Sequence, residues 1–258
     1  MAASTQAAPV TAPVDYLLHL ADNALILGQR NSEWTGHGPI LEQDIALSNI
    51  SLDLIGQARL LYQYAARLQG NGATEDTLAY LRESGEFKNC LITELDKGDW
   101  AKTVLRQFFF SVYQWYLYKQ LQDSKDNDLA AIAEKALKEV AYHLRWSGEW
   151  VVRLGDGTEE SHRRISEALE DLWPYTGELT IAAAYEQTLA AAGIAANPAS
   201  FKNDWLEKVN EVLLEATLSL PAGTWMQSGG KEGRHTEHLG YILAEMQHLQ
   251  RTYPGCEW

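Results

Sequence analysis

Apolar residues in this chain recur at three- and four-residue intervals almost from end to end, and nowhere alternate as a half-buried strand requires. A first helix is expected from about Val14 to Gln29, with Leu17, Leu20, Ala24 and Leu27 on one stripe. After a turn containing Gly and Pro, a long second helix is expected from about Leu41 to Leu68. One of its stripes carries Leu47, Ile50, Leu54, Gln57 and Leu61, and another, nearly opposite, carries Ile45, Leu52 and Ile55. A helix with apolar residues on opposite sides packs on both, so this one is central or meets a partner.

Gly70-Asn71-Gly72 breaks the second helix, and a short helical piece follows around Glu75 to Arg82. Asp99 reads as the N-cap of a third long helix to about Gln122, whose aromatic residues surround its axis. Asn127 or Asp128 caps a fourth, to about Leu154. Beyond Gly155-Asp156-Gly157-Thr158, a helix kinked at Pro174 is expected from Glu159 to Ala192. Two more run over about 199–220 and 236–251, the first opened by Asn197-Pro198 and the second capped by Thr236. Two hairpins and additional C-terminal helices make an all-α bundle, with one domain over 14–258 and a flexible tail over 1–13. The tail lacks the basic start and apolar run of a signal peptide.

Composition removes several functions. A formal net charge of −14 repels a phosphate backbone, so no nucleic acid partner is expected. No apolar run reaches the ~18 residues of a membrane span. Two widely separated cysteines, Cys90 and Cys256, fit free thiols in a cytoplasmic protein.

A bundle of this size invites a test for the di-iron centre that ferritin-like folds hold. Such a centre takes a Glu from each of two helices and Glu-x-x-His from each of two others, all pointing inward. Glu-x-x-His occurs at Glu159/His162, Glu232/His235 and Glu245/His248, in turn a helix start, a Gly-containing loop and the outer side of the last helix. None suits a bundle core. The inward positions at the required spacing are Ala24, Leu54 with Gln57, Phe110, and Val140 with His143. One imidazole and no inward carboxylate cannot compensate two iron charges. His143 is expected to be a satisfied core histidine or one paired with Glu139, and this chain is expected to have no metal and no catalytic residue of its own.

Four longer segments then carry a resemblance. They are Gly28-Gln29-Arg30 with Glu33-Trp34-x-Gly36-His37; Asp53-Leu54-Ile55-Gly56-Gln57-Ala58-Arg59; Lys138-Glu139-x-x-Tyr142-His143-Leu144-Arg145; and Gly229-Gly230-Lys231-x-Gly233-x-His235-Thr236-Glu237-His238-Leu239-Gly240. Over about Tyr16 to Trp258 the chain resembles the C subunits of bacterial phenylacetyl-CoA epoxidases, also called phenylacetyl-CoA monooxygenases, which act in aerobic phenylacetate degradation. The resemblance implies a ferritin-like structural subunit that pairs with a homologous catalytic A subunit. The di-iron centre and the substrate belong to that A subunit, and electrons to a flavin and iron–sulfur reductase. It also implies that Ala24, Leu54, Gln57, Phe110, Val140 and His143 occupy former ligand positions, of which only His143 keeps a ligand side chain. The alternative is a stand-alone di-iron or di-manganese oxidase with an unusual ligand set.

The second and third helices are expected to supply the interface with the A subunit. The loop around Gly230, Lys231, Arg234, His235, Glu237 and His238 is expected to dock the last helix or the partner. A competing reading sets Lys231 and Arg234 against an anion such as a CoA phosphate.

Overall fold

A computed structural model describes residues 11–256. Helix α1 (Thr11–Ser32) and α2 (Leu41–Gln69) form one hairpin, and α5 (Trp100–Leu121) and α6 (Asn127–Gly155) form the other. Between them lie the short α3 (Glu75–Tyr80) and α4 (Leu91–Glu94). The chain continues through α7 (Glu159–Leu172), α8 (Ala184–Ala192), α9 (Lys202–Glu215), α10 (Glu237–Met246) and α11 (His248–Thr252), with no strand among the described residues. The fold is an all-α, ferritin-like bundle with added C-terminal helices.

Local chemistry sets most boundaries. The Asp99 carboxylate accepts from the Lys102 amide at 3.0 Å, as expected. The cap of α6 is Asp126, not Asn127 or Asp128: its carboxylate accepts from the Leu129 amide at 3.1 Å. Helix α1 begins at Thr11, so residues 11–13 of the expected tail are helical. Ala12 is buried against the bundle, and residues 1–10 lie outside the described residues.

Three expected helices are shorter than their patterns. Pro174 ends α7 rather than kinking it, because its ring offers no N–H, and two 3-10 turns separate α7 from α8. The 199–220 helix opens with a 3-10 turn and ends at Glu215, since Thr217 adopts φ 59°. The last helix breaks at Gln247, whose side-chain amide donates to the Ala79 and Arg82 carbonyls.

One apolar core joins the two hairpins. Leu47, Ile50, Leu54 and Leu61 of α2 are fully buried in it. On the opposite side of α2, Leu41 and Leu52 are 71% and 66% exposed, and Ile45 is also exposed. The third long helix differs from expectation. Phe108, Phe109, Phe110, Tyr113 and Tyr118 are all buried within this chain, with Tyr116 half-buried and stacked on Phe201. Helix α5 is enclosed by α6, α7 and α9, so its aromatics form the core and present no free outer face.

Helix α6 meets the α9 terminus at Gly155, where an added Cβ would collide with the Ala216 carbonyl oxygen. Gly155→Ala is therefore expected to cost about 2 kcal/mol in urea unfolding. Gly148, on the same helix, has room for a methyl group, its nearest contact being Phe108 at 3.6 Å. Gly148→Ala is expected to stabilise by about 0.5–1 kcal/mol through helix propensity. Equal effects of the two substitutions would contradict this packing.

Candidate functional site

The six positions matched to ligand sites by resemblance all point into the bundle. Ala24, Leu54, Phe110 and Val140 are buried members of the apolar core, and Gln57 and His143 are buried among polar partners. The polar pair is spent on local bonds. The Gln57 amide nitrogen donates to the Glu139 carboxylate at 2.9 Å, and its oxygen accepts from the Tyr118 hydroxyl at 3.2 Å. His143 is buried and pairs through Nε2 with Asp53 at 2.9 Å, so of the two expected readings the pairing with Glu139 does not hold. The reason is geometric: Glu139 is taken by Gln57, while Asp53 of α2 reaches across to α6.

The donor set therefore does not fit two iron ions. Four of the six side chains carry no lone pair, and the fifth is a neutral amide with both ends engaged. Among the described residues, no group of three or more His, Cys, Asp or Glu is placed to hold a metal ion. Two polar bridges, Gln57–Glu139 and His143–Asp53, link α2 to α6. A third link lies further along: Gln43 accepts from the indoles of Trp146 and Trp150 at 3.0 and 2.7 Å.

The Gly-rich loop is organised by buried carboxylates on other elements. Glu178, fully enclosed, accepts from the amides of Leu91 and Gly229 at 2.8 Å and of Lys231 at 3.4 Å. Glu94 accepts from the Thr236 amide at 2.6 Å, the Thr236 hydroxyl at 2.9 Å, His235 Nδ1 at 2.7 Å and Asn89 at 2.8 Å. Thr236 thus occupies the N-cap position of α10, but its hydroxyl goes to Glu94 rather than back to the helix. A Cβ on Gly230 would collide with the Asn89 carbonyl oxygen, so only glycine allows this approach.

The loop's charged residues diverge. Lys231 is buried, its ammonium donating to Glu186 at 2.9 Å and to the Ile181 carbonyl at 2.8 Å. Arg234 is exposed and pairs with Glu232 at 2.6 Å. The two cations do not share an anion pocket. Glu237 lies in the first turn of α10, and the His238 carbonyl accepts from Arg30 at 3.2 Å.

The buried ionic frame itself is not anticipated by the sequence patterns: Asp22 with Arg82, and Glu94, Glu178 and Glu186. A signal is present in α1, where His19, Asp22 and Asn23 interrupt an otherwise apolar run. His19 Nδ1 donates to the Lys88 carbonyl at 2.7 Å, and Glu186 stands 3.7 Å from its Nε2. Burial outweighs that carboxylate and lowers the imidazole to about 4. His235 goes the other way: burial opposes its charge, but the bond and charge of Glu94 hold it above the usual imidazole range.

An all-α, ferritin-like bundle, with carbon side chains at four inward positions that the resemblance aligns with metal ligands, defines the class. The chain belongs to the phenylacetic acid catabolic protein family, which matches it over residues 1–258. It is 47% identical over 243 residues to the C subunit of 1,2-phenylacetyl-CoA epoxidase from Escherichia coli (strain K12), a match spanning 94% of this chain and 98% of that one.

Stability should depend on pH through His19. Its folded value lies below the unfolded ~6.5, so its contribution is complete above pH ~6.5 and is lost as pH falls through about 4. The loss is about 3 kcal/mol. His235, raised, contributes fully throughout that window. Urea unfolding at pH 6.5 and pH 4 is expected to show this decline, with His19→Gln flattening it; an unchanged slope in the variant would contradict the assignment.

Proposed function

We propose that this chain is the non-catalytic structural subunit of a cytoplasmic, multicomponent phenylacetyl-CoA ring epoxidase, and that it pairs with and stabilises a homologous di-iron catalytic subunit. The single observation that carries the reading is the donor set. Leu54, Phe110, Val140 and Ala24, the positions that the resemblance aligns with metal ligands, are buried and carry no donor atom. The near-full-length identity to a subunit of that enzyme supports the assignment to this complex. On this reading iron, oxygen and the acyl-CoA ring substrate belong to the catalytic partner, and a flavin and iron–sulfur reductase supplies the electrons.

Loss of a metal centre suits a structural role energetically. A cluster of inward carboxylates without metal would carry uncompensated charge, whereas Leu, Val and Phe contribute apolar burial. The bundle shape is kept, and with it a surface that a related bundle can cover.

The exposed stripe of α2 suits that contact. Leu41, Ile45 and Leu52 lie on one side of a 29-residue helix, and Gly56 further along leaves space above the backbone. Aliphatic side chains exposed in such a row favour an apolar interface core. Helix α5, by contrast, has no comparable free face to offer.

Co-expression with the di-iron homologue, followed by gel filtration, tests the proposal. The complex is expected to co-elute, and Ile45→Glu with Leu52→Glu to weaken association at least tenfold. The same pair is expected to change the stability of the isolated chain by less than about 0.5 kcal/mol, as for exposed positions. Separate elution of the unsubstituted proteins would contradict the pairing.

A further inference from the structure

Gly70, Asn71 and Gly72, all with positive φ, turn the chain back at the end of α2, and α3 then lies against that helix. A capping box fixes the start of α3, the Thr74 and Thr77 hydroxyls each accepting from the other's backbone amide. Leu78 and Ala79 are its buried residues, and Tyr80 at its end is half-buried.

The two helices leave a pocket of about 230 Å³ between them, bounded by Ile55, Ala58 and Arg59 of α2 and by Glu75, Ala79 and Tyr80 of α3. Ala58 and Ala79 are buried and carry only methyl groups. The apolar surface still open to an incoming group is that of Ile55 and Tyr80, both half-buried. Charged groups supply the rest of the boundary. Exposed Arg59 stands 3.6 Å from Glu75, which also accepts from Gln63 at 2.9 Å.

The pocket lies at the end of the exposed row on α2. Leu41, Ile45, Leu52 and Arg59 follow one another at intervals of four, seven and seven residues, which places them on one side of the helix. Ile55, between Leu52 and Arg59, flanks the same stripe. The exposed aliphatic row therefore leads into the pocket, and α3 forms its far wall.

Size and lining decide what fits there. Sites for small organic ligands measure about 300–1,000 Å³ and aim several polar groups at the ligand. This pocket is smaller, and its cation and carboxylate stand beside each other. Protein interfaces, in contrast, seat single bulky side chains in apolar pockets ringed by polar residues.

We propose that this pocket anchors the catalytic subunit, taking one large apolar side chain of that subunit against Ile55 and Tyr80. The identity of the partner rests on the proposed function. The anchor goes beyond it, because it brings α3 into an interface otherwise made by the outer stripe of α2.

Titration of the di-iron homologue into the full-length chain tests the anchor. Tyr80→Ala, which removes the α3 wall, is expected to weaken association roughly tenfold or more. Tyr80→Phe, which keeps the ring, is expected to leave it unchanged. Circular dichroism checks that both variants fold. Hydroxyl-radical labelling of the unsubstituted proteins gives a second reading that needs no variant: Tyr80 is expected to be protected in the complex and labelled in the isolated chain. Unchanged affinity of Tyr80→Ala, or equal labelling of Tyr80 alone and in the complex, would overturn the anchor and leave pairing through α2 standing. An isolated chain that sediments as a dimer with Tyr80 already protected would also overturn it, since a second copy would then fill the pocket. Failure of the unsubstituted proteins to associate at all would remove the pairing itself, and the anchor with it.

Discussion

Burying a carboxylate is tolerable only when donors replace the water it loses, and the C-terminal third of this protein is arranged around two such groups. Glu94 and Glu178 are fully enclosed and receive backbone amides, a hydroxyl, an imidazole and a carboxamide. Removing either carboxylate would leave those donors unpaired in the interior. The Gly-rich segment therefore has one way to lie against the bundle, and Gly230 lets its backbone come close enough to Asn89 to do so. Lys231 adds a buried ion pair with Glu186, tying the segment to α8.

The same rule explains the middle of the bundle. The four inward positions that the resemblance aligns with metal ligands carry carbon, and α1, α2, α5 and α6 close over them as an ordinary core. The two polar positions remaining, Gln57 and His143, are each matched to a carboxylate on the facing helix. A donor set of this kind has no means to balance two metal cations. It holds α2 against α6 by hydrogen bonds.

Much of this was legible in the chain. The two hairpins followed from helical periodicity, and the inward positions from the i, i+3 spacing on buried stripes. The motif around Gly230 was visible as a unit, although the role of each member required Glu94 and Glu178, which lie far away in sequence. Long-range pairing was the main obstacle. Nothing local distinguishes Asp53 from Glu139 as the partner of His143, since the choice depends on how α2 registers against α6. The aromatic run of α5 read equally well as interface or core. Its enclosure by α7 and α9, elements remote in sequence, decided for core. Helix ends failed where tertiary bonds intervened, as at Gln247, whose amide is drawn to the carbonyls of Ala79 and Arg82.

On the proposed reading, this bundle keeps the shape of a metal-binding fold without the means to hold the metal. Elemental analysis of the isolated chain, produced in iron- and manganese-supplemented medium and freed of adventitious ions by gel filtration, tests it most directly. The account predicts iron and manganese far below one ion per chain, with iron appearing only when the catalytic homologue is co-purified. About two tightly held ions per isolated chain, as a di-iron or di-manganese centre requires, would contradict it.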